Sequence, residues 1–180
     1  MPLGGVYFKP MWKGIIFIAA LAGLGLCLFL YPLRALTLSQ NDRIISIRWI
    51  KPGDTFQLAF LHSIALSEVR DIFEVDSDYR LVLIETRFQG QGTGLPSNLA
   101  PGEELHREGD WFRISGMRRV IPAISWRIQS QWRNRFRFGN DSDQDLSAKI
   151  GDALILIRIQ KMSAFSFLGA SLKSKNFVTL

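Results

Sequence analysis

Hydrophobic and polar positions follow two different rules along this chain. Residues 14–33 carry no charged side chain. Twenty residues at 1.5 Å rise make a helix of ~30 Å, the hydrocarbon thickness of a bilayer. Trp12 and Tyr31 bracket the run, as aromatic residues do at membrane interfaces. Beyond it the pattern shortens to alternation. In 44–50, Ile45, Ile47 and Trp49 fall on one face and Ser46 and Arg48 on the other, the signature of a half-buried strand. Lys51-Pro52-Gly53-Asp54 is a turn, and 55–61 resumes with Phe56, Leu58 and Phe60 on one face. Residues 69–75 place Val69, Phe73 and Val75 inward; 81–88 reads as a central strand; 111–114, 124–128, 135–138 and 153–160 complete the set. Eight short strands at this spacing predict an all-β domain, a small antiparallel sandwich or barrel behind one N-terminal transmembrane helix. The expected organisation is a short segment 1–13, an anchor 14–33, a β domain 37–161 and a tail 162–180. No helix longer than two turns is expected after the anchor.

Three readings of the 14–33 run compete. A cleaved signal peptide needs a shorter apolar core and small residues before the cut, and Tyr31-Pro32-Leu33-Arg34 is a poor exit. A lipoprotein signal at Cys27 conflicts with the bulky Leu26 before it and the apolar residues after it. An uncleaved signal anchor fits best. The basic residues before the run, Lys9 and Lys13, compete with Arg34, Arg43, Arg48 and Lys51 after it. Counted naively these favour a cytoplasmic domain, but folded domains translocate largely regardless of charge, so the count does not fix the side, and a single-pass membrane protein is expected.

The formal charge of +6 is mild and spread as Arg through strand-like segments. It lacks the clustered stripe of a nucleic-acid binder. The one cysteine lies inside the apolar run, so the domain has neither a disulfide nor a thiolate nucleophile or metal ligand. No cofactor is expected.

Three features could carry chemistry. If the strand at 55–61 continues to His62, a hairpin that opposes Ser63 to Arg70 also opposes His62 to Asp71 on an apolar face. Two polar groups would then satisfy each other where each alone is costly to bury. The pair reads as part of a pocket or as a structural pair closing a hairpin. A Ser–His–Asp hydrolase is set aside: His62 and Ser63 are adjacent, so they point to opposite faces of a strand, and no glycine-flanked serine elbow exists. Nothing in the spacing of His62, His106 and Asp71 demands a metal, and the chain is read as a non-enzyme. Second, Gly90-Gln91-Gly92-Thr93-Gly94-Leu95-Pro96 is glycine-rich, but no helical pattern follows, which excludes a dinucleotide fold. Such a loop forms either an anion-binding nest or a tight structural crossing. Third, the Arg and aromatic alternation of 132–138 reads as an edge strand with solvated arginines on one face.

His62-Ser63-Ile64, then Asp71 and Phe73, then Phe88 followed by Gly92-Thr93-Gly94-Leu95-Pro96, then Gly109-Asp110-Trp111 resemble a bacterial family catalogued as domain of unknown function 1850. The likeness runs from about residue 44 to 159. The family pattern is His-Ser-Val-Glu, an acidic residue before an aromatic, Gly-Ala-Gly with a bulky residue after it, and a Gly–Trp pair. Here Ala65 stands in place of the glutamate, Asp71 is the second acidic residue, and Thr93 replaces the alanine. The resemblance implies a small extracytoplasmic protein that accompanies tripartite ATP-independent periplasmic (TRAP) transporters with TAXI-type binding proteins. The expectation is an accessory transporter subunit, partnered by a TRAP permease or its solute-binding protein. Its binding or partner surface would draw on His62, Ser63, Asp71, Gly92, Thr93, Gly94, Leu95, Pro96 and Trp111. The alternatives are a stand-alone envelope domain that binds a ligand or serves structure, and a hydrolase or metal-dependent enzyme using His62 and Asp71.

Overall fold

A computed structural model describes residues 12–64, 66–90 and 99–174. The segment with Lys9, the Gly92–Pro96 stretch and residues 175–180 lie outside the described residues. The apolar run forms helix α1, Trp12–Leu30, with no buried residue. It is long and apolar enough to cross a membrane. Pro32 ends it and opens the first strand.

Twelve strands follow among the described residues. β1 (Pro32–Gln40), β2 (Arg43–Trp49), β9 (Ile124–Ile128) and β12 (Ala153–Ser163) make a four-stranded sheet in the order β2-β1-β12-β9. The larger sheet contains β3 (Thr55–Leu61), β4 (Glu68–Val75), β5 (Leu81–Gln89), β6 (Glu104–Glu108), β7 (Trp111–Ser115), β8 (Arg119–Ile121), β10 (Arg135–Phe138) and β11 (Gln144–Asp145). Its order is β11-β10-β3-β4-β5-β7-β6, with β8 beside β5. All pairings are antiparallel. A short helix α2 (Leu146–Ile150) is capped at its N-terminus by Asp145, whose carboxylate accepts the Ala148 N–H.

The two sheets face each other across one core, the sandwich that the alternation predicts. Phe56, Leu58, Phe73, Val75, Leu81 and Phe136 meet Leu36, Leu38, Trp126, Ile128, Ile155 and Ile157 there. The Phe56 ring stacks on Phe73 at 5.0 Å and on Phe136 at 5.7 Å between centroids. A smaller apolar cluster, Phe88, Ile114 and Met117, sits toward the β7 side.

Three features differ from the sequence reading. Strands β1, β6, β8 and β11 add to the eight expected; β1 was hidden because its first residues extend the apolar run. In β2 the expected faces are inverted from Ser46 onward. The pairing slips between Leu38 and Ser39, so Ile45 and Ser46 together oppose Leu38 in a β-bulge. Ile45 turns into the core, Arg48 shares the inner face with Leu36, and Trp49 is left exposed. Finally, residues 162–174 pack as regular structure. β12 runs to Ser163, and α3 (Ala164–Ser174) follows as a helix of about three turns that folds back on β2, β1 and β12.

Contacts between the sheets define two ends of the sandwich. At the anchor end, the Ala164 N–H donates to the Tyr31 carbonyl (3.1 Å) and the Ile50 N–H to the Arg34 carbonyl (3.1 Å). The Arg34 guanidinium lies 5.4 Å from the ring centre of Tyr79, in the β4–β5 turn, and Arg48 lies 4.6 Å from that of Phe138, at the close of β10. The far end therefore carries the β3–β4 turn, the end of β5 and the start of β7. From Val75 to Glu68, β4 spans about 23 Å at the usual strand rise.

Candidate functional site

Asp71 is a carboxylate among the apolar residues on the inner face of the large sheet. It stands in mid-β4, opposite Leu58 on one side and Thr86 on the other, with Val69 and Phe73 flanking it on the same face. The Thr86 hydroxyl donates to the Asp71 carboxylate at 2.8 Å. The residue keeps some exposed surface, but side chains crowd its carboxyl group. Burial pushes its pKa above the ordinary value, and the Thr86 hydrogen bond opposes that rise only in part.

The pairing overturns the expected His62–Asp71 contact across the hairpin. β3 ends at Leu61, which opposes Glu68, and Leu58 opposes Asp71. His62 falls in the tight turn beyond: its N–H donates to the Ser67 carbonyl (2.8 Å), and its own carbonyl accepts the Leu66 N–H (2.9 Å). Its Nδ1 accepts the Ile64 N–H at 3.4 Å. The turn is therefore centred two residues earlier than the expected register puts it, and His62 lies four positions along the chain from Leu58, Asp71's true partner. Ser63 is exposed in the same turn. His106 sits on the outer face of β6, opposite Arg113 and 3.2 Å from Glu104, so it does not converge with Asp71 either. Among the described residues, no group of three metal-ligating side chains comes together.

The outer face has a different character. The register aligns Arg135, Ala59, Arg70, Arg87, Arg113 and His106 in one row across six strands. Like charges directly opposite each other are destabilising. Here carboxylates in the two neighbouring rows compensate. Glu68 Oε1 accepts from Arg70 Nε at 2.6 Å and from Arg135 Nη2 at 2.7 Å. Glu85 pairs with Arg87 and, at 3.6 Å, with Arg113; Glu108 takes Arg113 Nε at 2.8 Å. The arginines of β10 are thus built into this lattice and are not the solvated edge the alternation suggested. Sequence reasoning missed Glu68, Arg70, Glu85, Arg87 and Arg113. The available signal was Glu-x-Arg at 68–70 and again at 85–87, a spacing that puts both charges on one strand face.

Trp111 joins this face at the far end. Its ring lies 4.5 Å from the Arg70 guanidinium, a cation–π contact. Asp71 is on the opposite face, so the expected site residues do not form one pocket. Three of the segments do share one end of the sheet: the His62–Ser63 turn, Gly90 at the root of the glycine-rich stretch, and Trp111. Beside them Gln89, Gly90, Arg107, Asp110 and Phe112 line an open depression.

A sandwich with a polar outer face and a helix able to span a membrane defines the class: a β domain with one candidate anchor. Residues 56–144 match the model of a family described as "Domain of unknown function (DUF1850)", and the chain belongs to that family through this stretch. The matched stretch holds every strand of the large sheet except the first residue of β3 and the last of β11, together with the candidate site. Comparison with curated proteins and with solved structures found no match.

Proposed function

We propose that the protein is an accessory subunit of a solute transporter, of the TRAP class that the sequence resemblance implies. In this reading α1 holds it in the bacterial inner membrane, single-pass, with the sandwich on the extracytoplasmic side. The partner surface is the far end of the large sheet. One observation carries the reading: the His62–Ser63 turn, Gly90 and Trp111 lie together at the end away from α1, beside the Glu68–Arg70–Arg135 ion-pair network. A surface about 23 Å from the anchor end suits a soluble solute-binding protein better than the buried part of a permease. The alternating charged rows would select the partner by pattern, since partners with mismatched charges are rejected at several kcal/mol in general. The role needs no catalysis and no cofactor.

The test is co-purification of the full chain from gently solubilised membranes that express a TRAP transporter, with partners identified by mass spectrometry. The expected result is recovery of the solute-binding protein or permease with the native chain and a several-fold loss with Trp111→Ala. Recovery of the chain alone would remove the accessory role. The depression beside Gly90 favours the second reading, a stand-alone envelope domain that binds a small ligand, and binding screens on the intact protein would then follow.

A further inference from the structure

The helix α3 divides its circumference into three. Ala164, Phe167, Ala170, Ser171 and Ser174 turn toward the domain and are buried or half-buried. Ser166, Gly169 and Lys173 form an exposed polar strip. Between them Phe165, Leu168 and Leu172 form an apolar stripe confined to about 60° of arc. Their exposures are 66%, 52% and 68%. A soluble helix normally buries such a stripe.

The position of α3 explains what covers it. Its first residue is hydrogen-bonded to Tyr31, the residue that follows α1, and α3 also touches α1 itself. The helix therefore starts where the apolar run leaves the bilayer. Trp49 opposes Ala35 at this same end and is 57% exposed, an indole placed as interfacial tryptophans are. Arg34 and Lys161 are cross-strand partners here, and Lys173 borders the apolar stripe. Cations at that level suit anionic headgroups.

We propose that α3 lies in the membrane interface as a second contact with the bilayer: Phe165, Leu168 and Leu172 enter the acyl boundary, and Lys161 and Lys173 meet anionic headgroups. The occupant of the stripe is lipid. The inference rests on reading α1 as a membrane span. It fixes the orientation of the sandwich relative to the bilayer and so keeps the far end pointed away from the membrane.

The test is depth measurement by spin label on the full chain in vesicles of phosphatidylethanolamine and phosphatidylglycerol. The native thiol, Cys27, is the only cysteine and lies in α1, so its label reports the span itself. In a Cys27→Ala background, single labels go at Phe165→Cys, Leu168→Cys, Leu172→Cys, Ser166→Cys and Lys173→Cys. The expected result is a several-fold higher ratio of oxygen to water-soluble nickel accessibility at 165, 168 and 172 than at 166 and 173. Nickel access at all five positions, with Cys27 deep in the bilayer, overturns the inference and leaves the span intact. Protection of 165, 168 and 172 from both reagents overturns it in favour of a protein cover. Nickel access at Cys27 removes the span, and the inference with it.

Discussion

The Thr86 hydroxyl donates a 2.8 Å hydrogen bond to Asp71 on the core-facing side of an eight-stranded sheet. The bond serves a carboxylate whose pKa burial raises above 3.8. The folded chain therefore holds that proton more tightly than the unfolded chain. Between the unfolded value and the higher folded one, the folded state binds more protons, so this group's contribution to stability falls as pH rises through that window. Above the window the penalty is constant. Asp71→Asn keeps an acceptor for Thr86 and removes the charge. It is expected to raise the melting temperature at pH 7 and to lose that gain near pH 4. Thr86→Val should cost about 1–3 kcal/mol at pH 7 by leaving the carboxylate without its partner. Thermal unfolding across pH checks both, and an Asp71→Asn protein less stable than the native chain at pH 7 would show that the charge is stabilising.

Glu68 Oε1 is shared by two arginines from different strands, Arg70 of its own strand and Arg135 of β10. Removing the charge with Glu68→Gln leaves Arg135, Arg70 and Arg87 facing one another across the row with less compensation. Because these groups keep roughly a quarter to a third of their surface exposed, the expected loss is about 1 kcal/mol or less. It should shrink further in 1 M salt, where screening acts over about 3 Å. Urea unfolding at low and high salt tests this. A loss independent of salt would assign Glu68 a packing role.

The N-terminal apolar helix and the sandwich class were legible because each rests on a long-range average. An uncharged run of membrane thickness and repeated alternation survive local errors. What failed depended on single-residue events. The bulge at Ile45 inverts the faces of β2 from Ser46 onward, and alternation counts cannot see one inserted residue. The β3–β4 turn is centred two residues earlier than assumed, which set Leu58, four positions before His62, opposite Asp71. The ion-pair lattice was illegible for another reason: Glu68, Arg87 and Arg113 come from strands whose order sequence does not give. Helix α3 was hidden because serines and a glycine interrupt its apolar residues.

Phe136 tests the core reading of the segment 132–138. It is fully buried against Phe56 and opposes Leu58, whereas Phe138, two residues on, is half-buried beneath Arg48. Phe136→Ala is expected to cost about 3–5 kcal/mol through lost burial and the cavity left behind. Phe138→Ala should cost distinctly less, because part of its surface already meets solvent. Chemical denaturation of both variants gives the comparison, and equal losses would contradict the inward placement of Phe136.

Two glycines with similar backbone angles should respond very differently to alanine. Gly109 has φ +64° and Gly116 φ +71°, both in the left-handed region that a side chain disfavours. At Gly109 a Cβ would meet open space. Only the conformational penalty remains, about 1–2 kcal/mol. At Gly116 the Cβ would stand 2.2 Å from the Gly102 carbonyl oxygen, a backbone atom that has no rotamer by which to yield. The chain around 102 or 116 must then move, and Met117, whose N–H donates to Ile84 and whose side chain fills the second cluster, moves with it. Gly116→Ala is therefore expected to lose at least about 2 kcal/mol more than Gly109→Ala, with the conformational strain and the clash adding. Urea midpoints of the two variants decide the matter. Equal midpoints would mean that the Gly102 loop gives way freely and that the close approach is not a constraint on the fold.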